Sequence, residues 1–535
     1  MNAVIYKPLE EYESKFKNLH LNNTNNLFDE LVKQSNINIE ENRNTVKEYN
    51  IYKENLIKLK RKFNWLRFFR VLMIITIILL PLVIMKLTPK IRALRDEVAT
   101  DDKKADELLT LTNNQMLPLN KLFTDRDAIK LIESTISLIS FDSCFSVKQE
   151  MDMKTNFDFQ EHNETEQSTI DTLAGRYNEN PFLFENLLIH TMGIETYHGY
   201  KTISWTETYR DSNGKQQSRR RTETLHATVT KPKPFYNTQV VLNYGSQGGP
   251  ELSFSRDASH LEQKSEKEIA RIVKRGDKKL QKMNDKAIKI NGDFMSMSNS
   301  NFEVLFDALN RTNEVQYRTL FTPLAQTNMV DLILSRSGYG DDFNFIKRNR
   351  MNKIISNHSQ GREIILSPNL YSSHSYDIIK ENFISKNIEY FKAIYFDFAP
   401  LLAIPLYQER PVHSLKPLPN ISQLYSHKEC EALANCIDYK YVVHKNTKTP
   451  AILKSSFVKS SDNIDEICIT AYSYDIFQRV DIVSVYGGDG HYHNVSVPWD
   501  EYIPLEASRN FFITVFNSMK NKNVIANKNS LCIFN

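Results

Sequence analysis

At 535 residues, 41% apolar and 25% charged, the chain is too long for a single core and too apolar to be disordered. Its formal charge of +4 sits at one end, because residues 1–70 hold 13 Lys and Arg against 9 Asp and Glu, leaving 55 against 55 for the rest. A neutral body excludes the broad basic field of a nonspecific nucleic-acid binder, while the basic end can face anionic lipid.

The first 64 residues read as an amphipathic helical tail. Val46, Tyr49, Leu56, Leu59 and Phe63 recur at helical spacing with Lys and Glu between them.

Residues 65–87 read as a transmembrane helix. The uncharged run from Val71 through Ile75 and Leu79 to Met85 is 15 residues, short for a span. Extending it back to Trp65 gives 21 residues, roughly 31 Å of helix against a hydrocarbon core of about 30 Å. Arg67 and Arg70 can then snorkel to headgroups, Trp65 falls at interface depth, and Pro81 is a breaker that membrane helices tolerate. The competing reading is a buried helix of a soluble domain. A cleaved leader is not expected, since no small-residue cleavage pattern follows the run. Lys58, Lys60, Arg61, Lys62, Arg67 and Arg70 precede it, and Lys86, Lys90, Arg92 and Arg95 follow it. That bias orients a single-pass protein with a cytoplasmic N-terminus and the C-terminal body on the opposite side. A second apolar stretch, Tyr390 to Gln408, contains Lys392, Asp397, Pro400 and Pro405 and reads as a buried strand or loop pair.

Residues 88–125, rich in Asp, Glu, Lys, Leu and Ala, read as a helical stalk. Residues 126–257 form a β-rich domain. Its clearest element is a hairpin over Tyr200–Val229, turning at Asp211-Ser-Asn-Gly214, where Asn-Gly supplies positive φ. The ribbon is expected to end at Lys231-Pro-Lys-Pro234, because proline cannot continue a central strand. Arg219, Arg220 and Arg221 near Lys215 are candidates for holding phosphate, anionic glycan or lipid headgroups. The commoner role of such a run is a solvated strand face, here with Glu207 and Glu223 as neutralising partners.

Residues 258–413 read as a mainly helical or mixed region. Ile269, Val273, Gly276, Leu280, Met283, Ala287 and Ile290 alternate by four and three, which is a heptad seam. It packs either on its own domain or as a coiled coil with another chain, the latter giving self-association or a protein partner. A second amphipathic run spans Phe302–Leu309. Tyr339-Gly-Asp-Asp342 spells the polymerase hairpin, but four letters are weak, and Phe343–Arg350 reads as a helix with a basic face that would make the acids a helix N-terminal pair.

Residues 414–535 read as a C-terminal β-rich domain, with a hairpin of Asp481–Tyr486 and His491–Val497 around Gly487-Gly-Asp-Gly490. His491 and His493, two apart on a strand, face one side and with Asp489 nearby are candidate metal ligands lacking an identifiable third. The cysteines, Cys144, Cys430, Cys436, Cys468 and Cys532, are odd in number and scattered, which argues against a disulfide framework. The close pair Cys430 and Cys436 reads as buried small hydrophobes.

No phosphate loop, dinucleotide turn, nucleophile elbow or His-Glu-x-x-His helix occurs, so no cofactor is expected. The abundance of Asn, Lys and Ile fits an AT-rich, bacterial genome. The sequence therefore predicts an α+β, single-span membrane protein that contacts the bilayer and acts by binding, as a scaffold or accessory subunit. The alternatives are a membrane-tethered metal-assisted hydrolase using His491 and His493, or an anion- or lipid-binding module using Arg219–Arg221.

Overall fold

The computed structural model describes residues 4–75, 85, 87–160, 166–210, 214–290, 292, 294–411, 423–461 and 464–514. The core of the expected span, residues 76–84 with Leu79, lies outside them, as do the turn residues 211–213 and Cys532. The protein is mixed α and β with antiparallel sheets, in two compact units. Among the described residues no helix is long and apolar enough to cross a membrane, so these helices lend the expected span no support.

The helical unit comprises Lys7–Ile139 and Ile365–Phe398. Its helices are α1 (Lys17–Ser35), α2 (Ile39–Ile75), α3 (Thr88–Asn120) and α4 (Asp127–Thr135), with the helix Tyr376–Leu402 contributing its residues up to Phe398. Asn36 at φ 50° ends α1, the left-handed position that asparagine tolerates. An aromatic layer of Tyr12, Phe28, Phe123, Tyr371, Phe383 and Phe391 holds these elements together. The stretch expected as a strand or loop pair at Tyr390–Gln408 is instead helical to Leu402, then a short turn Pro405–Gln408. A helix buried on most sides carries no amphipathic period, which is why its pattern misled.

The helices α2 and α3 run antiparallel. Asn42 donates to Gln115 at 3.2 Å and Gln115 to Thr45 at 3.2 Å, while further along α2 Lys60 pairs with Asp102 at 2.8 Å. Between these points Tyr49 packs on Ala105 and Leu108, with Tyr52 and Leu109 beside them. Partners thus advance along α2 as they retreat along α3, so the tail and the stalk lie side by side as an antiparallel pair.

The second unit comprises Val4–Tyr6, Ser140–Ile364 and the chain from Ala399 onward. Its main sheet contains β1 (Ile139–Phe141), β2 (Gln167–Tyr177), β3 (Asn180–Arg210), β4 (Gln216–Gly245), β5 (Ser253–Arg256), β6 (Phe343–Arg348) and β7 (Met351–Ser356) in the order β1-β2-β3-β4-β7-β6-β5. A three-stranded antiparallel sheet follows, β8 (Ile452–Ser461), β9 (Ile464–Tyr486) and β10 (Tyr492–Thr514), in the order β10-β9-β8.

Both expected hairpins occur, longer than expected. The first pairs β3 with β4 from Phe182–Tyr244 to Arg210–Gln216, and Pro232 and Pro234 sit inside it opposite Ile194 and Met192. The expected end at Lys231–Pro234 is therefore corrected. Prolines two residues apart address the same edge, and here β4 has only β3 as a ladder partner, so their missing N–H groups fall on a free edge. The second pairs β9 with β10 from Tyr486–Tyr492 outward. The two ribbons stack through Ile203, Leu225, Ala227, Val495 and Val497. Gly199 permits the approach, since a Cβ there would lie 2.3 Å from the Ser496 carbonyl oxygen.

The run Phe343–Arg350, expected as a basic helix, is the strand β6 followed by a turn. Phe343, Phe345 and Lys347 face inward, and the buried lysine hides the alternation; its ammonium donates to the Gly248 and Asn349 carbonyls at 2.8 and 2.6 Å. The heptad seam forms the helix Glu266–Lys289, started by a Ser265–Glu268 capping box. Leu280 and Ala287 are buried and Gly276 lies against Val304, so the seam packs on its own unit.

Candidate functional site

One face of the main sheet floors a cavity of about 200 Å³. Glu185 and Leu187 on β3, Met351 and Lys353 on β7, and Ile346 and Arg348 on β6 are pairs two apart, so each pair presents both side chains to that face. Register aligns them across the sheet: Lys353 lies opposite Asn243 on β4 and Ile346 on β6. Also lining the cavity are His427, Lys428 and Glu431 of the helix His427–Asn435 and Lys454 and Ser455 of β8.

Carboxylates hold that helix in place. Ser426 caps it, Glu429 accepts from the Phe145 amide at 3.1 Å and from the Thr172 hydroxyl, and Glu431 accepts from the Thr169 amide at 2.9 Å. Thr169 is free to bond there because β2 bulges between Thr169 and Asp171, a break in the ladder that re-aims a strand. Asn435 completes the clasp on the Thr169 carbonyl at 2.9 Å.

The cavity's three acids each have a cation. Glu185 pairs with Lys428 at 2.5 Å and accepts from Asn243 at 2.5 Å, Glu431 pairs with Lys454 at 3.5 Å, and Asp158 pairs with Arg350 at 3.1 Å. Burial raises the Glu431 carboxyl, opposed by Lys454. Lys353 differs: its ammonium makes no hydrogen bond or ion pair among the described residues. Burial holds it below the ordinary lysine range, Glu185 opposes that, and Lys428 and Arg348 reinforce it.

The residues nominated by sequence lie elsewhere. His493 pairs with Asp489 at 2.9 Å, while His491 is exposed and donates its backbone amide to Asp489 at 3.1 Å. Among the described residues no group of three His, Cys, Asp or Glu side chains is placed to hold a metal ion. Arg221 pairs across the ribbon with Glu207 at 2.7 Å and Arg220 donates to Ser204 at 3.2 Å, as a solvated strand face does. Glu223 instead accepts from the Gly488 amide at 2.6 Å. In Tyr339–Asp342, Asp341 is buried against Arg256 and accepts from Ser259, Asp342 pairs with His358 at 2.6 Å, and Tyr339 stacks on that histidine. Those acids serve the fold. Cys430 is buried as expected, but Cys436 is exposed, because it falls just past the end of its helix.

Of the anchor residues, Trp65, Phe68, Val71 and Met85 are 62, 63, 59 and 78% exposed, at the end of the α2–α3 hairpin beyond the Lys60–Asp102 pair. Arg67 stacks on Phe63, and Ile91 and Leu94 are buried on α3. Comparisons of the chain with protein-family models, curated proteins and solved structures give no match.

Proposed function

We propose that this protein is a membrane-attached, non-catalytic binding or scaffold protein, held at one lipid surface by the end of its helical hairpin. The observation that carries the reading is the antiparallel pairing of α2 and α3 on either side of the apolar run. A bilayer between them would set Lys60 and Asp102 at least about 30 Å apart, yet they touch at 2.8 Å. The two flanks of the run then lie at one face of the bilayer, in place of the opposite faces expected of a single span.

The chemistry of the hairpin end supports this. Tryptophan and phenylalanine exposed together cost free energy in water and suit the headgroup boundary. The cations Arg67, Arg70, Lys90, Arg92 and Arg95 flank the run on both helices, where anionic headgroups would meet them. A body with long ribbons bearing exposed Ile194, Val480, Ile482 and Tyr492 suits contacts with other chains.

The test is membrane topology of the full chain carrying a tag at each end, probed by protease in sealed spheroplasts. Both tags cut, or both protected, is the expected result. One cut and one protected establishes a span, and a product that leaves membranes freely in alkaline carbonate removes lipid attachment altogether.

A further inference from the structure

We propose that the cavity between the main sheet and the helix His427–Asn435 binds a small molecule by one oxyanion head, a phosphate monoester or carboxylate, held by Lys353 and Arg348. This goes beyond the membrane reading and does not depend on it.

Charge matching within the wall points to an anion. Glu185, Glu431 and Asp158 are paired with Lys428, Lys454 and Arg350 respectively, and Lys353 and Arg348 make no ion pair among the described residues. A partly buried ammonium without a partner is costly, and natural folds keep such charges where a partner arrives. An oxyanion at Lys353 removes that cost and gains charge-assisted hydrogen bonds, with the Arg348 fork supplying planar donors at the rim.

Size narrows the occupant: about 200 Å³ lies below the roughly 300–1,000 Å³ typical of drug-sized ligands, so a small metabolite fits and a polymer does not. Leu187, Ile346 and Met351 offer the ligand's remainder an apolar wall.

The experiment is isothermal titration of the full chain in detergent with inorganic phosphate, glycerol 3-phosphate and succinate, at ionic strength fixed with sodium chloride. Saturable one-to-one binding of at least one probe is expected. Binding by the two phosphates alone assigns a phosphate ligand, and by succinate alone a carboxylate. Lys353→Met should weaken binding by about tenfold or more, the scale of one lost charge-assisted bond, and Lys353→Arg should largely restore it. Without ligand, K353M should unfold at or above the wild-type midpoint, since it removes an unpaired, partly buried charge. Arg348→Gln, at an exposed position, tests the site without risk to the fold and should also weaken binding. No saturable binding of any probe, or equal binding by wild type, K353M and R348Q, overturns the proposal.

Discussion

Lys60 and Asp102 form an ion pair at 2.8 Å between antiparallel helices, although the chain's most apolar run lies between them in sequence. Both side chains are about half exposed, so the pair adds little stability. Its value is positional, because it fixes the two flanks of that run side by side.

Cross-linking reads this directly in membranes. Lys60→Cys with Asp102→Cys, treated with a short bifunctional maleimide, should give an intramolecular product in native membranes as well as in detergent. A product in detergent alone would mean that the bilayer separates the two positions.

The cations at the hairpin end should set the affinity for anionic vesicles. Each neutralisation among Arg67, Arg70 and Arg92 is expected to weaken binding by roughly fivefold, since a basic residue near a charged leaflet contributes about 1 kcal/mol. Flotation with phosphatidylglycerol vesicles at rising salt should show the same loss.

In the body, Arg311 and Glu303 form a fully buried pair, with Glu314 as a second acid at 2.8 Å. Arg311→Met leaves the carboxylates uncompensated and should destabilise this unit by about 3–5 kcal/mol in urea unfolding. Adding Glu303→Gln should recover part of the loss, because the charge that R311M stranded is then gone.

His20 gives the helical unit a pH dependence. It is buried, stacked on Phe391, and bonded to the Thr135 hydroxyl at 3.0 Å and the Asn387 carbonyl at 3.3 Å; burial lowers its pKa to about 4. The folded state therefore refuses a proton that the unfolded chain accepts near pH 6.5. Stability is complete above pH 6.5 and falls as pH drops from there toward 4, by on the order of 3 kcal/mol. Unfolding midpoints of wild type and His20→Gln across that window should converge at low pH if His20 is the cause, and stay parallel if it is not.

Much of the architecture was legible in local pattern. The two ribbons follow from Asn-Gly and Gly-rich turns between alternating strands, and the seam helix from its four-three spacing. Patterns failed where burial was two-sided. Tyr376–Leu402 is apolar on too many faces to show a helical period, and Lys347 put a charge on the inner face of β6. The cavity had only faint signals, a glutamate inside the apolar run Phe182–Ile189 and a lysine inside Met351–Ser356.

By itself the sequence determined the α+β class, the hairpins and the place of the apolar run, because turn chemistry, period and hydropathy act over a few residues. Tertiary structure alone decided that Lys60 meets Asp102 and that Lys353 makes no ion pair among the described residues. Those facts depend on segments distant in the chain coming together, and a charge's energy is set by its neighbours in space and its distance from water.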